Sequence, residues 1–304
     1  MPKSDLPTAA AAAFPGRRAR TWLNGIGALL GLAGVVFVVL RLKGYAGEID
    51  ADRITPAGFL GLAALALVYG ASNLLLALGW WRILLHLRVE TTRGWALRTY
   101  ATSQLAKYVP GNIFQFAGRQ AIGVAAGIGN GPLAKSTALE LAFLIGGGVL
   151  FSPLVLPLFV GHAAGGTAAA AAAVFVALTL LAIWLAARLG GPALGAAARR
   201  YMAFLAVSGI VFAATYRIAG GELSGSLVLP VAGAYVLAWL AGLVTPGAPA
   251  GIGVREAVLL FLLGGIGSPP VILLAVVIGR AVTVLGDLVF YLMGGALGRR
   301  SLNG

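Results

Sequence analysis

The sequence predicts an all-α, polytopic membrane protein, and three observations carry that prediction. Charged residues make up 10% of the 304-residue chain, against about 25% in a soluble domain. Hydrophobic residues make up 60%, with 45 glycines besides, so apolar and small side chains exceed what a water-facing surface tolerates. The segments Trp22 to Leu40, Ala57 to Trp81 and Leu141 to Ala187 carry no Asp, Glu, Lys or Arg. Each reaches or exceeds the roughly 18 to 20 apolar residues that cross a bilayer core.

Residues 1–20, with three prolines, an alanine run and Arg17, Arg18 and Arg20, read as a disordered cytoplasmic tail, and residues 21–298 as a single transmembrane helical domain. Trp22 to Leu40 is the first span, because it is longer than a signal-peptide core and runs into Arg41 and Lys43. Ala57 to Leu87 is the second. It holds Asn73, and Trp80 and Trp81 beside Arg82 have the pattern of an interfacial anchor. Arg93 to Gly131 is interrupted by Pro110 and by Gly111, Gly118, Gly123, Gly127 and Gly129, so it reads as two short helices meeting at Pro110 and Gly111. Leu133 to Val160 and Gly166 to Ala187 are the next spans, joined around His162 and Gly165. A basic loop with Arg188, Arg199 and Arg200 follows, then Tyr201 to Ala219 and Ser226 to Val244. A second broken region, Thr245 to Gly267, precedes the last span, Val271 to Leu297.

Arginine placement orients these elements. With both termini cytoplasmic, the Glu48, Asp50 and Asp52 loop lies outside, and the clusters at Arg93, Arg199 and Arg299 lie inside. This requires eight crossings, one of them through Val254 to Gly267, plus a re-entrant hairpin at 93–131. Reporter fusions at Leu6 and Asn303 are expected to give cytoplasmic signals at both ends. A periplasmic signal from Asn303 would make 254–267 re-entrant.

Net charge is +13, but it sits in short clusters between apolar runs, so nucleic acid is excluded as a partner for want of a basic, water-exposed domain. Zero cysteines rule out disulfides, thiol catalysis and Cys-based metal sites, and two histidines rule out a histidine-rich one. No cofactor or metal is expected. Abundant Ala, Gly and Arg with little Lys points to a GC-rich bacterial genome and hence the inner membrane.

The broken regions resemble each other. At an offset of 136 residues, Pro110, Gly111 and Arg119 fall on Pro246, Gly247 and Arg255, with the spacing P-G-x7-R in both. Glycine- or proline-interrupted segments in corresponding halves are a sign of a transporter binding site, and an internal repeat is indicated. Helix starts after such breaks expose N–H groups and a dipole that favour anions, and an arginine nine residues on adds a bidentate fork suited to phosphate or carboxylate. Irregular backbone at membrane depth belongs where it is buried or lines a polar cavity. The substrate-binding candidates are therefore Arg119, Arg255, Arg280, Lys107, Gly111, Gln115, Gly247 and Gly253. Glu140, Glu256 and Asp287 either couple transport or neutralise arginines inside the bundle. Arg280 and Asp287, seven residues apart, share a helix face. Lys107 either faces the cavity or snorkels to the interface. Gln104, Asn112 and Gln115 either line the cavity or satisfy broken backbone. Gly146, Gly147 and Gly148, with no Lys-Ser/Thr after them, favour close helix packing over a phosphate loop.

Lys107-Tyr108-Val109-Pro110-Gly111 through Gly118-Arg119, together with Thr245-Pro246-Gly247 and Gly251-Ile252-Gly253-Val254-Arg255-Glu256, resembles the lysylphosphatidylglycerol synthase transmembrane, or flippase, family. The second motif is the more specific. The resemblance implies a bacterial inner-membrane protein that handles lipids, with membrane lipids as partners and either a lipid-modifying enzyme or a second copy of the chain beside it. The chain carries no aminoacyl-transferase domain, so the resemblance does not imply synthase activity. Many members carry Glu where Gln115 stands, so the head group need not be theirs.

These readings together predict a non-enzymatic flippase for a lipid whose head group is anionic, glycosylated or aminoacylated. The rivals are an integral enzyme or accessory subunit of glycolipid or hopanoid synthesis, which would need an acid pair or aspartate-rich motif not found here, and a small-solute secondary transporter.

Overall fold

A computed structural model describes residues 55–108, 114–160, 165–245, 251 and 253–300. The tail, the first span, Pro110, Gly111, Asn112, His162, Pro246 and Gly247 lie outside the described residues, and so do the readings that fall on them. Everything described is helix, turn or irregular chain, with no strand. Nine α-helices occur among the described residues: α1 Pro56–His86, α2 Arg93–Gln104, α3 Phe114–Ala125, α4 Asn130–Val149, α5 Pro157–Val160, α6 Gly165–Ile218, α7 Val228–Val244, α8 Val254–Leu263 and α9 Pro269–Arg300. Five stretches are long and apolar enough to cross a membrane: Pro56–His86, Asn130–Val160, Gly166–Ile218, Gly225–Val244 and Pro269–Gly295. The chain is a helical membrane protein.

The helix ends follow local chemistry. Thr55 caps α1 by accepting a hydrogen bond from Gly58 N–H at 3.1 Å, and Pro56 occupies the first turn, where its missing N–H costs nothing. Thr92 caps α2 in the same way through Trp95 N–H. Gly127, at φ 88°, ends the turn after α3, with Ile128 N–H returning to Gly123 O at 3.0 Å.

Three elements differ from the sequence reading. The residues around Arg188, Arg199 and Arg200 are helical and form no basic loop, because the chain between the two spans reverses at one residue, Gly191 (φ 78°, ψ 176°), and Pro192 opens the second arm. A Cβ on Gly195 would lie 3.0 Å from Ala187 Cα. Residues eight apart in a straight helix are separated by about 12 Å, so the arms fold back sharply, and each exceeds the ~20 residues that span a bilayer. Trp80 is no interfacial anchor. It is 1% exposed, donates to Ser136 Oγ at 3.1 Å and stacks on Trp95. Trp81 is only partly buried, with Nε1 bound to Thr91 O and the guanidiniums of Arg82 and Arg93 over its ring. Finally, Leu133 to Val160 is not one continuous helix, since Pro153 and Pro157 divide its end into a 3-10 turn, Ser152–Val155, and α5.

The broken regions contain the short helices. α2 and α3 have 12 residues each and α8 has 10, rises of about 18 and 15 Å against a core of about 30 Å. α8 therefore covers about half the thickness that the eight-crossing count assigns to 254–267.

Glycines set the closest helix approaches. A Cβ on Gly70 of α1 would lie 2.7 Å from Gly286 O of α9, and one on Gly286 would lie 2.8 Å from Ala66 O, so the backbones touch in the manner of small-residue membrane interfaces. In the triple glycine, a Cβ on Gly147 would meet Met202 and Leu205, and one on Gly148 would meet Leu240, while Gly146 faces open space. Two of the three serve close packing.

Candidate functional site

α1, the α2 end, α3, α4, α6, α7, α8 and α9 surround one cavity with roughly 970 Å³ free of protein atoms, counting its open mouth. Lys107, Gln115, Arg119, Glu140, Arg255 and Arg280 all line it, although they come from segments far apart in sequence. Tyr69, Tyr100, Tyr108 and Trp239 complete much of the remaining wall. Glu256 and Asp287 stand against lining cations. Gly253, at φ 85°, is exposed, and its N–H donates to Glu256 Oε2 at 2.7 Å. The sequence reading left that N–H free for a ligand; the carboxylate three residues on takes it instead.

Each acid is committed to a different cation. Arg119 Nη1 lies 2.5 Å from Glu140 Oε2, and Tyr100 OH donates to Glu140 Oε1 at 2.6 Å. Arg119 is 3% and Glu140 1% exposed. The guanidinium also sits 4.0 Å from the Tyr100 ring centroid, so a planar cation is held by a carboxylate and an aromatic face together. Lys107 Nζ lies 2.6 Å from Asp287 Oδ2. Asp287 is fully buried and also accepts from Asn73 Nδ2 at 3.1 Å and from Tyr108 OH. Gln104 Nε2 donates to Asn73 Oδ1 at 3.4 Å. The Gly70 and Gly286 contact makes this possible, since it brings Asn73 and Asp287, neighbours of those glycines on α1 and α9, within reach. Arg280 Nη2 lies 2.6 Å from Glu256 Oε1, its Nε donates to the same oxygen at 2.7 Å, and Nη2 reaches Gly251 O at 3.3 Å. Arg280 and Asp287 share a helix but serve separate pairs.

Arg255 is the exception. Among the described residues no carboxylate pairs with it, its Nε is buried without a hydrogen-bond partner, and its guanidinium lies 5.7 Å from the Tyr235 ring. The pseudo-repeat accounts for the difference. At the offset of 136 that superposes the two arginines, Glu140 falls on Val276, and Glu256 falls on Gln120. The second half thus lacks the acid that neutralises Arg119, and its own acid is occupied by Arg280, whose counterpart in the first half is Leu144. Two further wall atoms, Arg119 Nε and Gln115 Oε1, are buried and unpartnered. Buried polar groups in native proteins nearly always find partners, so these three wall atoms carry unused hydrogen-bonding capacity.

Sequence reasoning missed Tyr100, Tyr108, Tyr235 and Asn73 as members of this site. Tyr100 and Tyr235 lie on the helices before those that carry their cations, Arg119 and Arg255, while Tyr108 ends the 3-10 turn Leu105–Tyr108 that carries Lys107; uncharged polar side chains in the broken and apolar segments were the available signal. The chain matches no protein-family profile, and no curated protein or solved structure is significantly similar to it.

Proposed function

We propose that the chain is a membrane lipid transporter that moves a lipid with an anionic head group across the bacterial inner membrane, both termini being cytoplasmic. The observation that carries this reading is Arg255, a cation on the wall of a cavity within an apolar bundle, with no carboxylate partner among the described residues. A lone charge in a membrane protein is costly and marks substrate paths by default. An anionic head group would supply the missing counter-charge while the acyl or prenyl chains stay in the bilayer. The resemblance of the 107–119 and 245–256 motifs to lipid flippases favours the same reading. The enzyme alternative calls for an acid pair, whereas Glu140, Glu256 and Asp287 are each bound to a separate cation.

The test uses the full chain in proteoliposomes with acyl-labelled phosphatidylglycerol and a membrane-impermeant quencher. Quenching is expected to extend past the outer-leaflet pool. Quenching confined to that pool, equal to protein-free vesicles, would remove the transport reading.

A further inference from the structure

Charge stoichiometry in the cavity says more than its sign. Lys107, Arg119, Arg255 and Arg280 line it, and Glu140, Glu256 and Asp287 neutralise all of them but Arg255. Among the described residues, four cations against three carboxylates leave one positive charge. Such a charge inside a low-dielectric bundle is best compensated by one negative charge, because each surplus or missing buried charge carries an uncompensated desolvation cost. A phosphodiester carries one negative charge at neutral pH; a pyrophosphate carries two or more and would turn the loaded cavity net negative.

The unpartnered atoms refine the match. Arg255 Nε and Arg119 Nε are spare donors, and Gln115 Oε1 is a spare acceptor, with Gln115 7% and Arg119 3% exposed. The donors suit phosphate oxygens and the acceptor suits a hydroxyl or amine on the same head group. Resting on the transporter reading above, we infer that this cavity selects a lipid with a single monoanionic phosphodiester and a hydrogen-bond donor beyond it, and that it discriminates against both zwitterionic and polyanionic head groups.

The test keeps the acyl chains constant and varies charge. Purified full-length protein is equilibrated with an equimolar mixture of phosphatidylglycerol, phosphatidylcholine and diacylglycerol pyrophosphate, and bound lipid is counted by native mass spectrometry. Phosphatidylglycerol is expected to be retained at least about tenfold over either competitor, the ratio expected when about 1.4 kcal/mol separates them. The Glu256→Gln variant then shifts the balance. It keeps an oxygen for Gly253 N–H but frees Arg280, raising the cavity to two positive charges, so the pyrophosphate should gain about tenfold on phosphatidylglycerol. Arg255→Gln, which leaves no net charge, should abolish the preference of phosphatidylglycerol over phosphatidylcholine. Lipid bound without regard to charge, or ratios unmoved by Glu256→Gln, would overturn the charge-matching inference while leaving a lipid transporter in place. No lipid of any kind bound, with no transport in vesicles, would overturn both.

Discussion

Arg255→Gln should lose most lipid transport while the protein stays as stable as the parent. A charged, hydrogen-bonded contact contributes about 1.5 to 3 kcal/mol, which corresponds to roughly a tenfold to 150-fold fall in affinity. Arg255 has no carboxylate among the described residues to leave stranded, and its guanidinium lies beside the Tyr235 ring, so glutamine costs little in folding. Initial transport rates in proteoliposomes at limiting labelled lipid measure the loss, and thermal denaturation in detergent measures the stability. Lysine at the same position should restore only part of the rate, because a point charge lacks the planar fork. A parental rate in the glutamine variant would place the anion site elsewhere.

The corresponding change in the first half should behave differently. The shared P-G-x7-R spacing predicts equal roles for Arg119 and Arg255, with both glutamine variants inactive but well folded. The structure separates them, since Arg119 is locked to Glu140 and Tyr100 in a nearly solvent-free setting. Arg119→Gln strands a buried carboxylate, and removing one partner of such a pair costs roughly 3 to 5 kcal/mol. The expected result is a large drop in thermal stability in detergent, comparable for Glu140→Gln, with most of it recovered in the Arg119→Gln/Glu140→Gln double variant, where neither charge remains. If the single and double variants lose the same stability, the pair is not coupled and Arg119 is held by its aromatic contacts alone.

Much of this architecture is legible in hydropathy, because the bilayer imposes a minimum span length and each long apolar run must meet it. The broken regions are legible as well, in Pro110 and the glycines around it and in the repeated P-G-x7-R spacing. The errors have local causes. Gly190-Gly191-Pro192 already encodes a one-residue reversal, but the neighbouring arginines suggested a loop. Trp80 and Trp81 are adjacent and alike in composition, yet on a helix they point about 100° apart, so one enters the core and the other stays partly exposed beside Arg82 and Arg93.

The rarity of charge in an apolar chain was sufficient to single out Lys107, Arg119, Glu140, Arg255, Glu256, Arg280 and Asp287, since any ionisable group in a span must be accommodated inside the bundle. Pairing was not legible. Asn73 and Asp287 are 214 residues apart and meet only because Gly70 and Gly286 let two helices touch, while Glu256 leaves its neighbour Arg255 and binds Arg280 from another helix. The sequence by itself determined a helical membrane protein and the inventory of its buried charges, because both follow from transfer energies that are nearly independent of the fold. Only the tertiary structure decided that Arg255 is, among the described residues, the cavity cation left without a carboxylate partner, because ion pairing acts over a few ångströms and the partners within that distance are set by how the helices pack.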